Sequence, residues 1–545
     1  MPELTVNRRS LLLAGLGAAG AGLLAACSDK PAPPPLVDPS GTSVARAESA
    51  RRGTGRERPV TVTATADTVD LGGGTTARTW TFGALPGAPV RTTAGDTLVA
   101  TLNNHLPDPT SLHWHGLALR NDMDGVPAVT MRPVAPGGSF TYRFVTDRPG
   151  TYWFHPHVGV QLDRGLYAPL IVEDPREPLG YDEEWVVVLD DWLDGVTGTP
   201  DQAFAELRRG MGGGGSGGHD MSGMSGHAMG GGAGPGGTGA GSGSGSGSGS
   251  GKGNGPNNGD KDGGGAGSFM LMGATSPLLG GDAGDVRHPH HLVNGRIAAD
   301  PEVRRSEPGR RVRLRIVNAG ADTAYRLALG GHRLTVTHTD GYPVRHEEVD
   351  ALLIGMGERY DVLVTLRDGV FPLTALAEGK DAVGRALVRT GAGEAPAAGF
   401  RPAELNGRIL AAGDLRAADE VGLPRRTADR THRIELTGGM ARYDWALNGR
   451  AFDMADPAAR PFLVGSGERV RLEFVNRTDM WHPMHLHGHT FQVGDGGPRK
   501  DTVIVLPGRT VVCDFEADNP GRWMAHCHNA YHGEAGMTGL LAYRG

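Results

Sequence analysis

Apolar and polar positions alternate with a period of two in many short segments, among them Val312-Arg313-Leu314-Arg315-Ile316 and Val470-Arg471-Leu472-Glu473-Phe474. Side chains two apart on a strand share a face, so each segment offers one face to a core and the other to water. Thr61-Val62-Thr63-Ala64 and Asp361-Val362-Leu363-Val364 read as strands too, and Gly, Pro, Asn and Asp punctuate the runs. The pattern predicts an all-β chain of Greek-key β-sandwiches. One framework recurs at Gly95…Asn104, Gly309…Asn318 and Gly467…Asn476, each spanning nine residues with alternating apolar positions between. Internal similarity of this kind means repeated domains, placed at 55–175, 183–395 and 405–545. The length of 545 residues suits that number.

Residues 210–267 break the pattern: Gly and Ser dominate, ending in a Gly-Ser alternation from Gly241 to Gly251. No core can form from them, which predicts a disordered insertion in the second domain. Met211, His219, Met221, Met224, His227 and Met229 stand at its start. Thioether and imidazole suit Cu(I), so 211–229 is either a copper-collecting arm or a linker with incidental Met and His.

The first 27 residues carry Arg8-Arg9, an uncharged apolar run from Leu11 to Ala26, and then Cys27. The run is short for a membrane span and reads as an export signal of twin-arginine type. Leu24-Ala25-Ala26-Cys27 is similar to a lipoprotein processing box, which predicts a lipid on Cys27 and a chain held at the outer face of the membrane; a plain cleaved signal, giving a secreted or periplasmic protein, is the alternative. Residues 28–54 are Pro-, Ser- and charge-rich and predict a flexible tether. With Cys27 lipidated and Cys527 engaged elsewhere, Cys513 has no partner for a disulfide and reads as a core residue. The net charge is −7 with no basic stripe, which excludes nucleic acid as a partner.

The densest chemistry is His526-Cys527-His528, followed by His532 and Met537. Cys, His and a weak Met ligand suit copper used for electron transfer. Neighbours on a strand point to opposite faces, so the His flanking Cys527 must serve a second centre. Three further pairs supply it: His113/His115, His155/His157 and His485/His487, making eight imidazoles with His526 and His528. His482 and His532 remain for the Cys527 centre. The pairs are in register on the repeat: Pro136 to Gly150 to His155 matches Pro507 to Gly521 to His526, with Pro156 standing where Cys527 stands. The first repeat has Thr110, Gln161 and Leu166 where the third has His482, His532 and Met537. Only the third can build the Cys site, and the eight-His cluster must lie where the first and third meet.

This constellation resembles the three-domain, laccase-like branch of the multicopper oxidase family over roughly 55–545, insertion apart. The resemblance implies cupredoxin-like domains and four copper ions, with a trinuclear cluster between domains 1 and 3. A type 1 copper would take His482, Cys527, His532 and axial Met537, and a type 2 copper His113 and His485. The type 3 pair would take His115, His155 and His528 on one ion, and His157, His487 and His526 on the other. A small-molecule reductant or Cu(I) would give single electrons through an imidazole edge of His482 or His532. They would pass through Cys527 to His526 and His528, and dioxygen would become water. Asp124 and Glu534 are the candidate proton donors. His489, His332 and His338 read as structural, and His288, His290 and His291 as a solvated loop. A monomer is expected. The competing functions are a non-catalytic copper-binding or assembly protein on the same fold and a copper nitrite reductase; the full ligand count favours the oxidase.

Overall fold

The computed structural model of the chain describes residues 35–210 and 267–545. The export signal, Cys27 and the 211–229 arm lie outside them. The described residues form three two-sheet sandwiches: two four-stranded sheets, then seven- and six-stranded sheets, then six- and five-stranded sheets, with short helices α1 (Thr42–Ser49), α2 (Pro200–Leu207) and α3 (Ala530–Ala535) beside them.

All three repeat one topology. Strand Thr97–Asn104 runs parallel to Glu57–Gly72 and antiparallel to Ser139–Val145. Arg311–Asn318 stands likewise between Glu183–Trp192 and Arg359–Thr365, and Arg469–Asn476 between Arg430–Thr437 and Thr510–Glu516. Thr97–Asn104 is buried at every second residue, as its pattern predicts. The repeated Asn has a shared physical role. Each folds the next loop onto its own side chain: Asn104 Nδ2 donates to Asp108 O and Val134 O, Asn318 Nδ2 to Thr323 O and Ile354 O, and Asn476 Nδ2 to Met480 O and Val505 O. In the first and third sandwiches the strand beyond that loop carries the His motifs.

One apolar cluster runs through the first and third sandwiches, from Trp114 and Phe154 to Trp481 and Trp523, and takes in the facing edge of the middle one at Val286, Ala321 and Met356; the rest of the middle sandwich packs a core of its own around Ile316, Tyr325 and Val362. The outer two thus share an interior, and polar groups at their junction lie within it.

The expected tether is corrected over 35–54, which packs as a strap. Val37 N bonds Tyr543 O, and Arg522 Nε donates to Val37 O. Helix α1 (Thr42–Ser49) buries Val44, and its Glu48 accepts from Val145 N. Arg51 then reaches Asp147 of the first sandwich and Asn519 of the third. Charge-rich composition concealed this because two isolated valines and a few ion pairs hold the strap. Val44→Asp would bury an unpaired carboxylate; we expect faster proteolytic cleavage within 50–56 and a lower melting temperature, and unchanged cleavage would contradict the strap.

Candidate metal centres

Cys527 ends strand Arg522–Cys527, and the six-residue helix α3 (Ala530–Ala535) begins just beyond it. Cys527 Sγ lies 3.6 Å from His482 Nδ1 and 3.7 Å from His532 Nδ1, and those nitrogens are 3.1 Å apart. All three side chains are buried. Met537 is buried beside them: its backbone N donates to His532 O and its O accepts from Cys527 N. The outer imidazole nitrogens are tied elsewhere, His482 Nε2 to Thr478 Oγ1 and His532 Nε2 to Asp285 Oδ2, each at 2.8 Å. Burial opposes charge on His532, but Asp285 outweighs it and raises its pKa to about 10.

The second centre joins strands of the first and third sandwiches. His113 pairs with His155 across one ladder, and His485 with His526 across the corresponding one. His113 stacks on His487 at 3.7 Å and His115 on His485 at 3.8 Å, so the two sandwiches interleave their imidazoles.

The hydrogen bonds decide which nitrogen of each ring is free. Asp124 Oδ1 and Oδ2 accept from His113 Nδ1 (3.1 Å) and His487 Nδ1 (2.9 Å). Asp501 Oδ1 accepts from His115 Nε2 (3.1 Å), and backbone carbonyls accept from Nδ1 of His155, His485 and His526. A carboxylate or carbonyl can only accept, so the bonded nitrogen carries the proton and the other keeps a lone pair. Those lone pairs are His113 Nε2, His115 Nδ1, His155 Nε2 and His485 Nε2, all buried without a partner, as are both nitrogens of His528. His526 Nε2 stands 3.1 Å from His487 Nε2 and 3.5 Å from His157 Nε2. Nitrogens about 2 Å from a shared tetrahedral ion stand about 3.3 Å apart. Inward lone pairs held by outward acceptors are what metal ligands require, and imidazole with thiolate suits copper.

The structure brings eleven of the twelve expected ligands into these two groups, eight imidazoles in one and His482, Cys527 and His532 in the other, with Met537 buried and backbone-bonded next to the latter. Asp124 is fully buried and bridges the outer sandwiches. Glu534 stands apart, on α3 at an apolar cavity of about 220 Å³ whose wall includes His155, His157, His526 and His528. Burial raises its pKa.

The sequence reading missed Asp501, Arg359 and Asp285. Asp501 lies beside His115 and His485, and Arg359 of the middle sandwich donates to both its oxygens at 2.7 and 2.6 Å. Burial would raise the Asp501 pKa, but Arg359 outweighs it and holds the carboxyl well below the usual range. The backbone of Gly357 (φ +84°) also closes on the cluster, because a Cβ there would lie within about 3 Å of His115 and His528. No local motif marks these residues; the one hint was a Lys500-Asp501 pair entering an apolar run.

Two expectations are corrected. His288 is not in a solvated loop: it is buried between Asp163 and Asp191, while His291 is buried against Tyr325 OH at 2.8 Å and only His290 is partly exposed. The edges of His482 and His532 are not open either, since both residues are fully buried. His489 is buried and bonded to Tyr543 OH at 2.7 Å, and His332 accepts from Arg367 N.

Fold and donor set define a copper-dependent oxidoreductase of cupredoxin-like sandwiches. Family models described as multicopper oxidase match residues 63–177, 275–391 and 425–544. The chain is 44% identical to the multicopper oxidase MmcO of Mycobacterium tuberculosis over the full length of both. It is 27% identical to a copper resistance protein A homolog of Pseudomonas syringae pv. tomato, over 84% of this chain and 87% of that one. A multi-copper oxidase from Pseudomonas thermotolerans aligns with a TM-score of 0.61 at 25% identity, over 89% of this chain and 99% of that one. The chain belongs to the multicopper oxidase family, copper enzymes that use dioxygen as acceptor.

Burial, and then the neighbouring imidazoles, lower the pKa of His155, His157, His487 and His528 well below 6.5 in the metal-free fold. The unfolded chain therefore binds more protons below about pH 6.5. Stability of the copper-free protein should be complete above that pH and fall as pH drops toward the folded-state values. Thermal melting of the apoprotein between pH 5 and 8 checks this; a flat profile would contradict it.

Proposed function

We propose that the chain is a four-copper oxidase whose preferred reductant is Cu(I) and whose location is the outer face of the cell membrane. His482, Cys527, His532 and Met537 would hold the type 1 ion, and His113 and His485 the type 2 ion. His115, His155 and His528 would hold one type 3 ion, and His157, His487 and His526 the other. Copper supplies one-electron redox chemistry at the first site and the four-electron reduction of dioxygen to two waters at the three-ion site.

The chain's own residues supply the rest. Cys527 is bonded through its backbone to both His526 and His528, which gives an electron a short covalent route between the sites. Asp124 orients His113 and His487 and would supply a proton beside them. Glu534, the second candidate proton donor, stands at the apolar cavity walled by four cluster imidazoles.

The observation carrying the choice of Cu(I) is the cover over His532. A phenol ring needs an exposed imidazole edge, and neither His482 nor His532 has one. His532 instead meets Asp285, whose Oδ1 is buried without a hydrogen-bond partner. Leu271 N donates to Asp285 O, Met270 pairs with Val286, and Met272 next to them is exposed. A carboxylate under a methionine-bearing segment suits a small soft cation better than an aromatic ring.

Steady-state kinetics with Cu(I) and a phenol side by side test the reading. We expect the larger kcat/KM for Cu(I), and equal or better use of the phenol would sink it. Cys527→Ser should abolish the blue absorption and the turnover of both substrates while leaving the melting of the apoprotein unchanged. Retained turnover would contradict the electron route.

A further inference from the structure

We infer that Asp322, a middle-sandwich residue far from either ligand set in sequence, is the positioning residue that fixes the geometry of the type 1 site. The inference rests on the type 1 assignment above. Asp322 lies in the loop folded by Asn318, and it is fully buried. Its carboxylate accepts from four groups: Asp285 N at 3.0 and 3.1 Å, Val286 N at 3.0 Å, Lys380 Nζ at 2.6 Å and Asn529 Nδ2 at 2.7 Å.

Two of those partners grip His532 from opposite sides. Asp285 holds its imidazole, through Oδ2 to Nε2 at 2.8 Å. Asn529 holds its backbone: as the N-cap of α3 its Oδ1 accepts from Tyr531 N and His532 N. Ala530 N also bonds Ala321 O, next to Asp322. One carboxylate therefore fixes both the helix that carries His532 and the group that orients its ring. Asn529 directly follows His528, so the same clamp also sets the spacing between the two copper centres.

The loop bearing Asp322 is itself held. Asp191 Oδ1 accepts from Ala321 N and Oδ2 from Asp322 N, and Lys380 donates to Asp322 O and Thr323 Oγ1 as well as to the carboxylate. Lys380 supplies the compensating charge that a buried carboxylate needs. A buried carboxylate with four donors is costly to disturb, since each lost partner leaves a desolvated polar group. What this clamp controls is a ring orientation and a helix start, both next to a metal ligand.

The pair Asp322–Asn529 offers a specific test. Asp322→Asn keeps the shape but turns an NH2 toward one set of donors, most directly the Asn529 amide. In the copper-loaded full-length protein we expect a shift of the type 1 absorption, EPR hyperfine splitting and reduction potential. About tenfold weaker retention of the type 1 copper should accompany it, with the three-ion cluster still filled. The exchange variant Asp322→Asn with Asn529→Asp restores a donor facing an acceptor, and an Asp at the N-cap still accepts from Tyr531 N and His532 N. It should return the spectrum and potential toward wild type. A folded Asp322→Asn protein with wild-type spectrum and potential would overturn the inference. So would an exchange variant no better than Asp322→Asn, including the case where that single variant fails to load or fold. Wild-type protein without a type 1 signal would instead overturn the underlying copper assignment.

Discussion

Eight imidazoles gathered from two sandwiches into one group are the constraint on which the architecture depends. Each unpaired buried nitrogen costs about 1–3 kcal/mol, and a ring left free would rotate to find a partner. The structure prevents rotation of six of the eight by fixing the opposite nitrogen, and it uses carboxylates that cross domain boundaries. Asp124 of the first sandwich holds His113 of its own and His487 of the third. Asp501 of the third holds His115 of the first, and is itself fixed by Arg359 of the second. Pulling the sandwiches apart would strand charges as well as lone pairs. Chain association and ligand geometry are therefore one property.

A repeated framework explains how three similar sandwiches came to serve different ends. In each, the Asn closing the central strand folds the next loop back onto itself. In the third sandwich that loop reaches Thr478, which holds His482 Nε2. In the second, the equivalent loop carries Asp322 and no metal ligand. The middle sandwich supplies Asp285, Asp322, Gly357 and Arg359, all of which touch ligands or the residues that hold them. It acts as a jig for the other two, and its separate core lets it hold a rigid edge against their shared interior.

The grouping of the candidate ligands was readable in the sequence because its geometry is local. His-x-His on a strand fixes two imidazoles on one face whatever the rest of the chain does, and the Pro-to-Gly-to-His spacing put the pairs in register. The strand pattern was readable for the same reason, since alternation depends only on neighbours. The holding residues were not readable. Arg359 and Asp501 are 142 positions apart, and Asp285 and His532 are 247 apart; such pairs leave no local trace. His288 misled because polar neighbours suggested water, whereas its two carboxylates come from other segments. The strap at 35–54 misled because its burial rests on single residues, too sparse to give a period.

On the proposed function, the two faces of α3 would separate the reagents. His532 turns toward Asp285 and the methionine-bearing segment, whereas Glu534 turns toward the cavity walled by His155, His157, His526 and His528. A one-electron donor and dioxygen would thus approach from different sides, joined through protein bonds at Cys527. That separation matters for a donor such as Cu(I), which dioxygen can oxidise directly with release of partly reduced oxygen. Burial of His482 and His532 would slow the approach of bulky donors and, on the proposed assignment, would keep the donor side apart from dioxygen reduction. The covalent link between the sites is what makes such insulation compatible with turnover.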